Sequence, residues 1–257
     1  MGGTSYGVRV LRFPYPTSPV SMDGASLGGA DGGVGGPKRR DPINLSFPIR
    51  ITGASAANTV AKLDTLLVAL HVTGARSLRF DGSLSTRFYM AEFIGSSNYE
   101  WSGLDSVKLT LNFWVPKPFW KSTTETSQTA EAISASPQAF DVTDGGTVGG
   151  NWYAYPIWII KQTDTTTITS VTLANATTTE TIVWTGSLAE DDWLRLDSNP
   201  MNFRIEKSTD DGTSWTDAIG GADGGIVPSL NGGVSNSLSV TGVTAGAVDI
   251  YYRAEYL

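Results

Sequence analysis

The sequence predicts a mainly β protein, built as an N-terminal β-sandwich domain with one helix and a C-terminal β-sandwich domain, on three observations. Gly 29 and Pro 12 account for 41 of 257 residues and stand among abundant Thr, Val and Trp, a composition that favours strands and turns over helices. Apolar and polar residues alternate through much of the chain, and only one segment repeats at helical spacing. Charge divides the chain: residues 1–120 carry 12 Lys and Arg against 8 Asp and Glu, and residues 121–257 carry 6 against 17, balances of +4 and −11 within a total of −7. Halves so different predict two domains with different neighbours, and at about 150 residues per domain the length accommodates them.

Residues 7–13, GVRVLRF, alternate as a short strand and run into Pro14, Pro16 and Pro19, none of which can donate to a central ladder. This is an edge strand leading into an arm over residues 14–40. Within 24–37, seven Gly and one Pro leave almost no side chain to bury, which predicts a flexible loop unless a neighbour clamps it. Lys38, Arg39 and Arg40 follow and are the candidates for contact with another subunit, set against the plainer reading of a solvated loop or a charged sheet edge.

Residues 43–51 resume the strand pattern. Ser55 is placed to N-cap a helix over roughly 56–72, in which Val60, Leu63, Leu67 and Leu70 share a face and Gly74 lies beyond the end. His71 falls at that helix end, where its ring can meet the last carbonyls. Strands follow at 76–80, 86–94 and 106–115; in the last, Val107, Leu109, Leu111, Phe113 and Val115 alternate with polar residues and Trp114, as one buried face requires. The first domain, 1–120, closes at VPKPFW.

Residues 121–139 are polar, small and aperiodic, which predicts a linker or strap. From Phe140 to residue 257 the pattern is all strand, with candidates at 140–143, 152–160, 166–173, 180–185, 193–197, 202–207, 214–218, 237–241 and 247–256, separated by turn dipeptides such as Asp144-Gly145 and Asn231-Gly232. Nine short strands fit one β-sandwich.

Composition removes several chemistries. Cys 0 excludes a disulfide framework, a thiol nucleophile, a zinc-thiolate site and an iron-sulfur cluster. His71 is the single histidine, so a multi-histidine zinc site within the chain is excluded and a Ser-His-Asp mechanism would have to use that ring. The acidic total argues against nucleic-acid binding as the primary task, because that rests on Lys and Arg neutralising phosphates. The N-terminus MGGTSYGVRV lacks the charged-then-apolar pattern of a signal peptide, and no apolar run approaches the roughly 18 to 20 residues of a spanning helix, so the expectation is a soluble protein made in a cytoplasm, without membrane insertion.

The sharpest local string is STDDGTSW, residues 208–215, which resembles the Asp box of sialidases and other β proteins. Ser208, Asp210, Gly212 and Trp215 occupy its key positions: the carboxylate can accept backbone N–H groups across the turn, Gly212 supplies a positive φ, and Trp215 packs beneath. Such a hairpin is structural. Glu190, Asp191 and Asp192, and the neighbours Asp210 and Asp211, invite a glycosidase reading, but that mechanism needs two carboxylates across a cleft, and solvated turn charge accounts for them better. The D-x-[DN]-x-[DN]-G calcium spacing with a distal Glu is missing, and the glycine stretch holds neither a phosphate loop nor a dinucleotide fingerprint. No catalytic residue, cofactor or metal site is therefore expected. Eight Trp, including Trp152, Trp158, Trp184, Trp193 and Trp215, raise a sugar-stacking face, although large rings more often fill a core this small.

Two long-range patterns carry a family resemblance. Strand, glycine arm, strand and helix with Leu63, Leu67 and Leu70, then strands around Arg87-Phe88-Tyr89 and Phe113 and a closing Pro118-Phe119, resemble the N-terminal belt domain of siphophage distal tail proteins (Dit). Gly149-Gly150-Asn151-Trp152 through Tyr155-Pro156, then Ile182, Leu188, Asp192, Leu194 and Asp197, then Pro228, Leu230, Gly233, Asn236 and Val240, and finally Ile250-Tyr251-Tyr252-Arg253, are similar to that family's galectin-like domain. The Asp-box hairpin and the long glycine arm depart from the family pattern.

The resemblance implies a non-enzymatic virion protein of a long-tailed phage, synthesised in the host cytoplasm and placed at the distal tail or baseplate. It implies a homo-hexameric ring around a DNA channel, with the tail tube protein, the tail hub protein, the tape measure and fibre or receptor-binding proteins as partners, and DNA only in transit. The alternatives are a carbohydrate-binding adsorption module of the tail tip and another tail-tube or baseplate subunit. On the ring reading the arm reaches a neighbouring subunit, and the channel lining avoids a dense basic band to which DNA would stick.

Overall fold

A computed structural model describes residues 8–10, 20–26, 33–79, 86–97, 99–142, 147–200 and 202–256. Expectations for residues 7 and 11–13 of the first strand, for 14–19 and 27–32 of the arm, for Phe80 and for the Asp144-Gly145 turn lie outside them. The described residues are mainly β with one α-helix, and the chain divides into two compact units, 1–120 and 121–257.

The first unit runs β1 (Val8–Val10), β2 (Val20–Ser26), β3 (Gly33–Arg40), β4 (Ile43–Thr52), α1 (Ala56–Leu70), β5 (Arg76–Arg79), β6 (Arg87–Ser96), β7 (Glu100–Trp101) and β8 (Ser106–Val115). Its sheet has the order β1-β4-β8-β6, with β5 on β6 and β7 on β8. β4 and β8 pair antiparallel over ten positions, from Ile43 opposite Val115 to Thr52 opposite Ser106. That register sets Leu45 against Phe113, Phe47 against Leu111, Ile49 against Leu109 and Ile51 against Val107, all buried, so period-two alternation on two strands makes one continuous apolar face. Phe113 is met by Phe47 and Phe93, each at 5.6 Å between ring centroids.

Ser55 caps α1, its hydroxyl accepting the Asn58 N–H at 3.3 Å. The buried helix positions are Thr59, Leu66 and Leu70, whereas Val60 is exposed, so the inward stripe is turned from the expected one. The reason is polar: the Thr59 hydroxyl donates to the Asp105 carbonyl at 2.6 Å, and Gly53, with no room for a side chain beside Thr59, donates its N–H to the same oxygen at 2.9 Å. The His71 N–H reaches the Leu67 carbonyl at 3.0 Å and its Nδ1 lies 3.1 Å from the same oxygen, closing the helix as expected.

The glycine arm differs from the flexible loop expected of it. β2 and β3 pair antiparallel from Val20 opposite Arg40 to Ser26 opposite Gly33, with a register shift between Met22 and Gly24. Backbone ladder bonds need no buried side chain, so a glycine-rich sequence still makes a hairpin.

The second unit holds β9 (Trp120–Ser122), which begins at the boundary, β10 (Thr126–Ile133), β11 (Gln138–Asp141), β12 (Ile157–Gln162), β13 (Ile168–Asn175), β14 (Glu180–Leu188), β15 (Trp193–Asp197), β16 (Arg204–Ser208), β17 (Thr216–Asp217), β18 (Ser237–Thr241), β19 (Gly246–Tyr252) and β20 (Glu255–Tyr256). A six-stranded sheet, β10-β19-β12-β15-β16-β17, and a four-stranded one, β11-β18-β13-β14, close on one core around Trp158, Ile160, Leu173, Leu194 and Ile250. The polar stretch expected as a linker supplies β10 and the first two residues of β11, whose last two fall in the strand expected at 140–143: β10 pairs with β19 and β11 with β18. Both are outermost strands, where most side chains meet water and apolar alternation is not demanded.

The free side of β14 is lined by residues 221–226. The Asp223 and Ile226 N–H groups donate to the Val183 and Thr181 carbonyls at 3.0 Å each. Gly221 and Gly225 stand so close to the Thr185 and Thr181 carbonyls that neither place admits a Cβ.

Candidate functional site

Two surfaces are candidates: the hairpin arm, and the outward face of the six-stranded sheet. The arm's register puts Lys38, Arg39 and Arg40 opposite Met22, Ser21 and Val20, at the end of β3 nearest β4. Among the described residues the hairpin is a two-stranded sheet of its own, joined to no other strand.

On the six-stranded sheet, even-numbered residues of β12, β15 and β19 point into the core and odd-numbered ones outward. Register brings the outward residues into rows: Asp249, Ile159, Arg195 and Glu206 form one, and Tyr251, Ile157 and Asp197 another. Asp249 is almost fully buried; it lies 2.6 Å from Lys161 Nζ and accepts the Ala130 N–H at 2.7 Å. Ala130, at φ 58, sits in the irregular part of β10, so this carboxylate pins the bulge. Arg195 forms an ion pair with Glu206 through Nε and Nη2.

The tryptophans named in the sequence are largely occupied. Trp158 and Trp184 are buried and donate to the Pro228 and Ala218 carbonyls at 3.1 and 2.9 Å. Lys161 lies 4.5 Å above the Trp193 ring and Arg195 4.3 Å above that of Trp215.

The 208–215 hairpin folds against this same face. Ser208 is buried; its hydroxyl donates to Asp210 Oδ1 at 2.7 Å and accepts the Gly212 N–H at 2.9 Å. Asp210 also accepts the Ser214 N–H at 2.8 Å and the Ser214 hydroxyl. These bonds, the Ser214 hydroxyl foremost, pull its carboxyl down to about 2. Gly212, at φ 79, leaves no room for a Cβ over the Trp193 ring, and Trp215 is half-buried, lying beside Arg195 on the sheet surface.

The acidic triplet does not form a cleft of paired acids. Asp192 is buried, accepts the Ala189 N–H at 2.7 Å and pairs with Lys207 at 2.7 Å, while Glu190 and Asp191 are exposed on the turn. Among the described residues no three His, Asp or Glu side chains group to hold a metal, and no helix is long and apolar enough to cross a membrane.

Sequence reading missed a cleft of about 140 Å³ at the Tyr251 end of the outward face. Its row Asp197-Ile157-Tyr251 is continued two residues on by Asn199, Tyr155 and Arg253. Asp197 accepts the Asn199 N–H at 2.9 Å and the Asn202 amide at 3.1 Å. Lys121 pairs with the buried Glu255 at 3.1 Å, and Arg253 with Glu125 at 3.5 Å. Burial first, then the Glu255 and Glu180 carboxylates, push the Tyr155 phenol up, so it stays a neutral hydroxyl. The signal in the sequence was the i, i+2 spacing of Tyr155 with Ile157, Asp197 with Asn199 and Tyr251 with Arg253.

Around the cleft, Gly150, at φ 97, lies where a Cβ would fall on the Glu255 carbonyl oxygen, and the Asn151 N–H donates to that oxygen at 3.1 Å. Asn236 ties the neighbouring loop, accepting the Asn231 N–H at 2.8 Å and the Asn175 amide at 3.0 Å.

No protein-family model and no curated protein matches the sequence. Solved structures do. The crystal structure of the SPP1 Dit (gp 19.1) protein, described as a paradigm of the hub adsorption apparatus in phages infecting Gram-positive hosts, superposes with a TM-score of 0.70 at 15% identity, covering 99% of this chain and 95% of that one. Chains of the phage P2 baseplate in its activated conformation, with Ca and with Sr, give 0.56 and 0.55 at 10% identity, covering 98% and 97% of this chain and 91% of each of those. Over nearly its whole length, then, this chain has the fold of phage hub and baseplate proteins.

Proposed function

We propose that this protein is a structural, non-enzymatic component of a long-tailed phage tail tip, forming a homo-hexameric ring at the distal end of the tail. The ring joins the tail tube protein, the tail hub protein with the tape measure, and fibre or receptor-binding proteins, and leaves a channel through which DNA passes. The first unit is its belt and the second a galectin-like outer domain.

The observation that carries this reading is the end-to-end likeness to the SPP1 Dit protein, 99% of this chain on 95% of that one, since almost nothing of either chain is left out of the match. Charge supports it: an outer domain at −11 repels its copies, while a first domain at +4 can meet acidic surfaces of neighbours. The hairpin arm, which shares its ladder with no other described strand, is available to reach an adjoining subunit. A ring of this kind is heterologous, each copy presenting two different surfaces.

The test is the mass of the purified protein in solution with negative-stain images, alone and mixed with its tail tube and hub proteins. A closed six-fold ring in either condition supports the reading. A monomer in both overturns it.

A further inference from the structure

We propose that the cleft at the Tyr251 end of the outward sheet face is a saccharide site that takes one neutral pyranose unit. Three strands converge to build it: the β12, β15 and β19 register sets Ile157, Asp197 and Tyr251 side by side, and Tyr155, Asn199 and Arg253 continue the same face. At about 140 Å³ it lies below the roughly 300 Å³ at which drug-sized ligands are held, room for a single sugar ring.

The donor and acceptor set suits a polyol. A pyranose offers several hydroxyls, each both donor and acceptor, around an apolar ring face. The cleft answers with carboxylate acceptors, amide and guanidinium donors, phenolic hydroxyls that can do either, and tyrosine rings. Both cations of the wall are already engaged, Lys121 with Glu255 and Arg253 with Glu125, and the third carboxylate, Asp197, leaves the lining acidic, so a phosphate finds no spare counter-charge. Asp197 is fixed by the Asn199 N–H and the Asn202 amide, which presets its orientation before any ligand arrives. Of the five tryptophans named for stacking on sugars, four serve otherwise, two in the core and two beneath Lys161 and Arg195.

The experiment is saturation-transfer NMR on the full-length protein with D-glucose, D-galactose and N-acetyl-D-glucosamine in turn, and glycerol as a control. One of the sugars should bind with Kd of about 1 mM, and Tyr251→Ala and Asn199→Ala should each weaken it at least about tenfold while Trp215→Ala leaves it unchanged. Asn199→Ala, at a half-buried loop position where the main-chain bond to Asp197 is kept, keeps the test valid if Tyr251→Ala unfolds. No signal with any sugar, an equal signal with glycerol, or a signal lost in Trp215→Ala and kept in Asn199→Ala overturns the proposal. The ring assay reads a different property, so either idea can fail alone.

Discussion

Lys161 and Asp249 form an ion pair of 2.6 Å across β12 and β19, in which the carboxylate is only 4% exposed and also holds the Ala130 N–H of the bulged β10. Removing the acid would leave the Ala130 N–H and a half-buried ammonium without their shared partner. Asp249→Ala is therefore expected to cost about 3 kcal/mol, whereas Lys161→Met, which keeps the stem over Trp193, costs less only if Asp249 takes up water. Urea unfolding followed by tryptophan fluorescence measures both, and hydrogen exchange at Ala130 should rise in Asp249→Ala.

Asp210 gives a pH prediction. Its carboxyl is held at about 2, below the ordinary 3.8, so the hairpin's stabilisation is fully present above about pH 4 and is lost as pH falls through 2. Ser214→Ala removes the foremost cause and should raise that value toward the ordinary one. Carboxyl-carbon NMR titration reads the shift directly, and an unchanged value would deny the hydroxyl its role.

Three glycines of the second unit separate backbone strain from close approach. Gly220 has open space around it, Gly224 has open space at φ 82, and Gly150 has a positive φ with the Glu255 carbonyl where a Cβ would lie. Substitution by Ala should be near neutral at Gly220, cost about 1 kcal/mol at Gly224 and cost more at Gly150. Thermal unfolding of the three variants gives the order.

Deleting residues 20–40 should spare the sheet of the first unit, because β2 and β3 pair only with each other among the described residues. On the proposed function the shortened protein folds but no longer closes a ring. Reversing Lys38, Arg39 and Arg40 to Glu tests the charge alone: ring formation should fall, and its dependence on salt should weaken. Light scattering and circular dichroism separate lost assembly from lost fold.

Much of the architecture was legible because it is local. Ser55 and the leucines of α1 announce the helix, and β8 shows its buried face residue by residue. The strands of 121–139 were not, since outermost strands with wet side chains carry no apolar period; only Ile133 of β10 is buried. The arm's pairing was hidden for a related reason, because glycine ladders are held by main-chain bonds that leave no mark in hydropathy. Thr59 displaced Val60 from the inward stripe through a hydrogen bond to a residue 46 positions away, which periodicity cannot see. The cleft draws residues from 121 to 255 onto one surface, so its parts were visible as spacings and its existence only as register.

The main chain that runs along β14 has a bearing on crowding. A strand whose outer carbonyls already hold Asp223 and Ile226 cannot accept a stranger's strand, and the glycine contacts at 221 and 225 leave no gap into which one could slide. At the other borders, β11 has only four residues, and in the six-stranded sheet β17 has two and β10 is bent by its bulge, so none offers a long straight template. Copies of the second unit pressed together at high local concentration are thereby kept from adding strand to strand into fibres, so any contact between them falls to side chains and loops rather than to sheet edges.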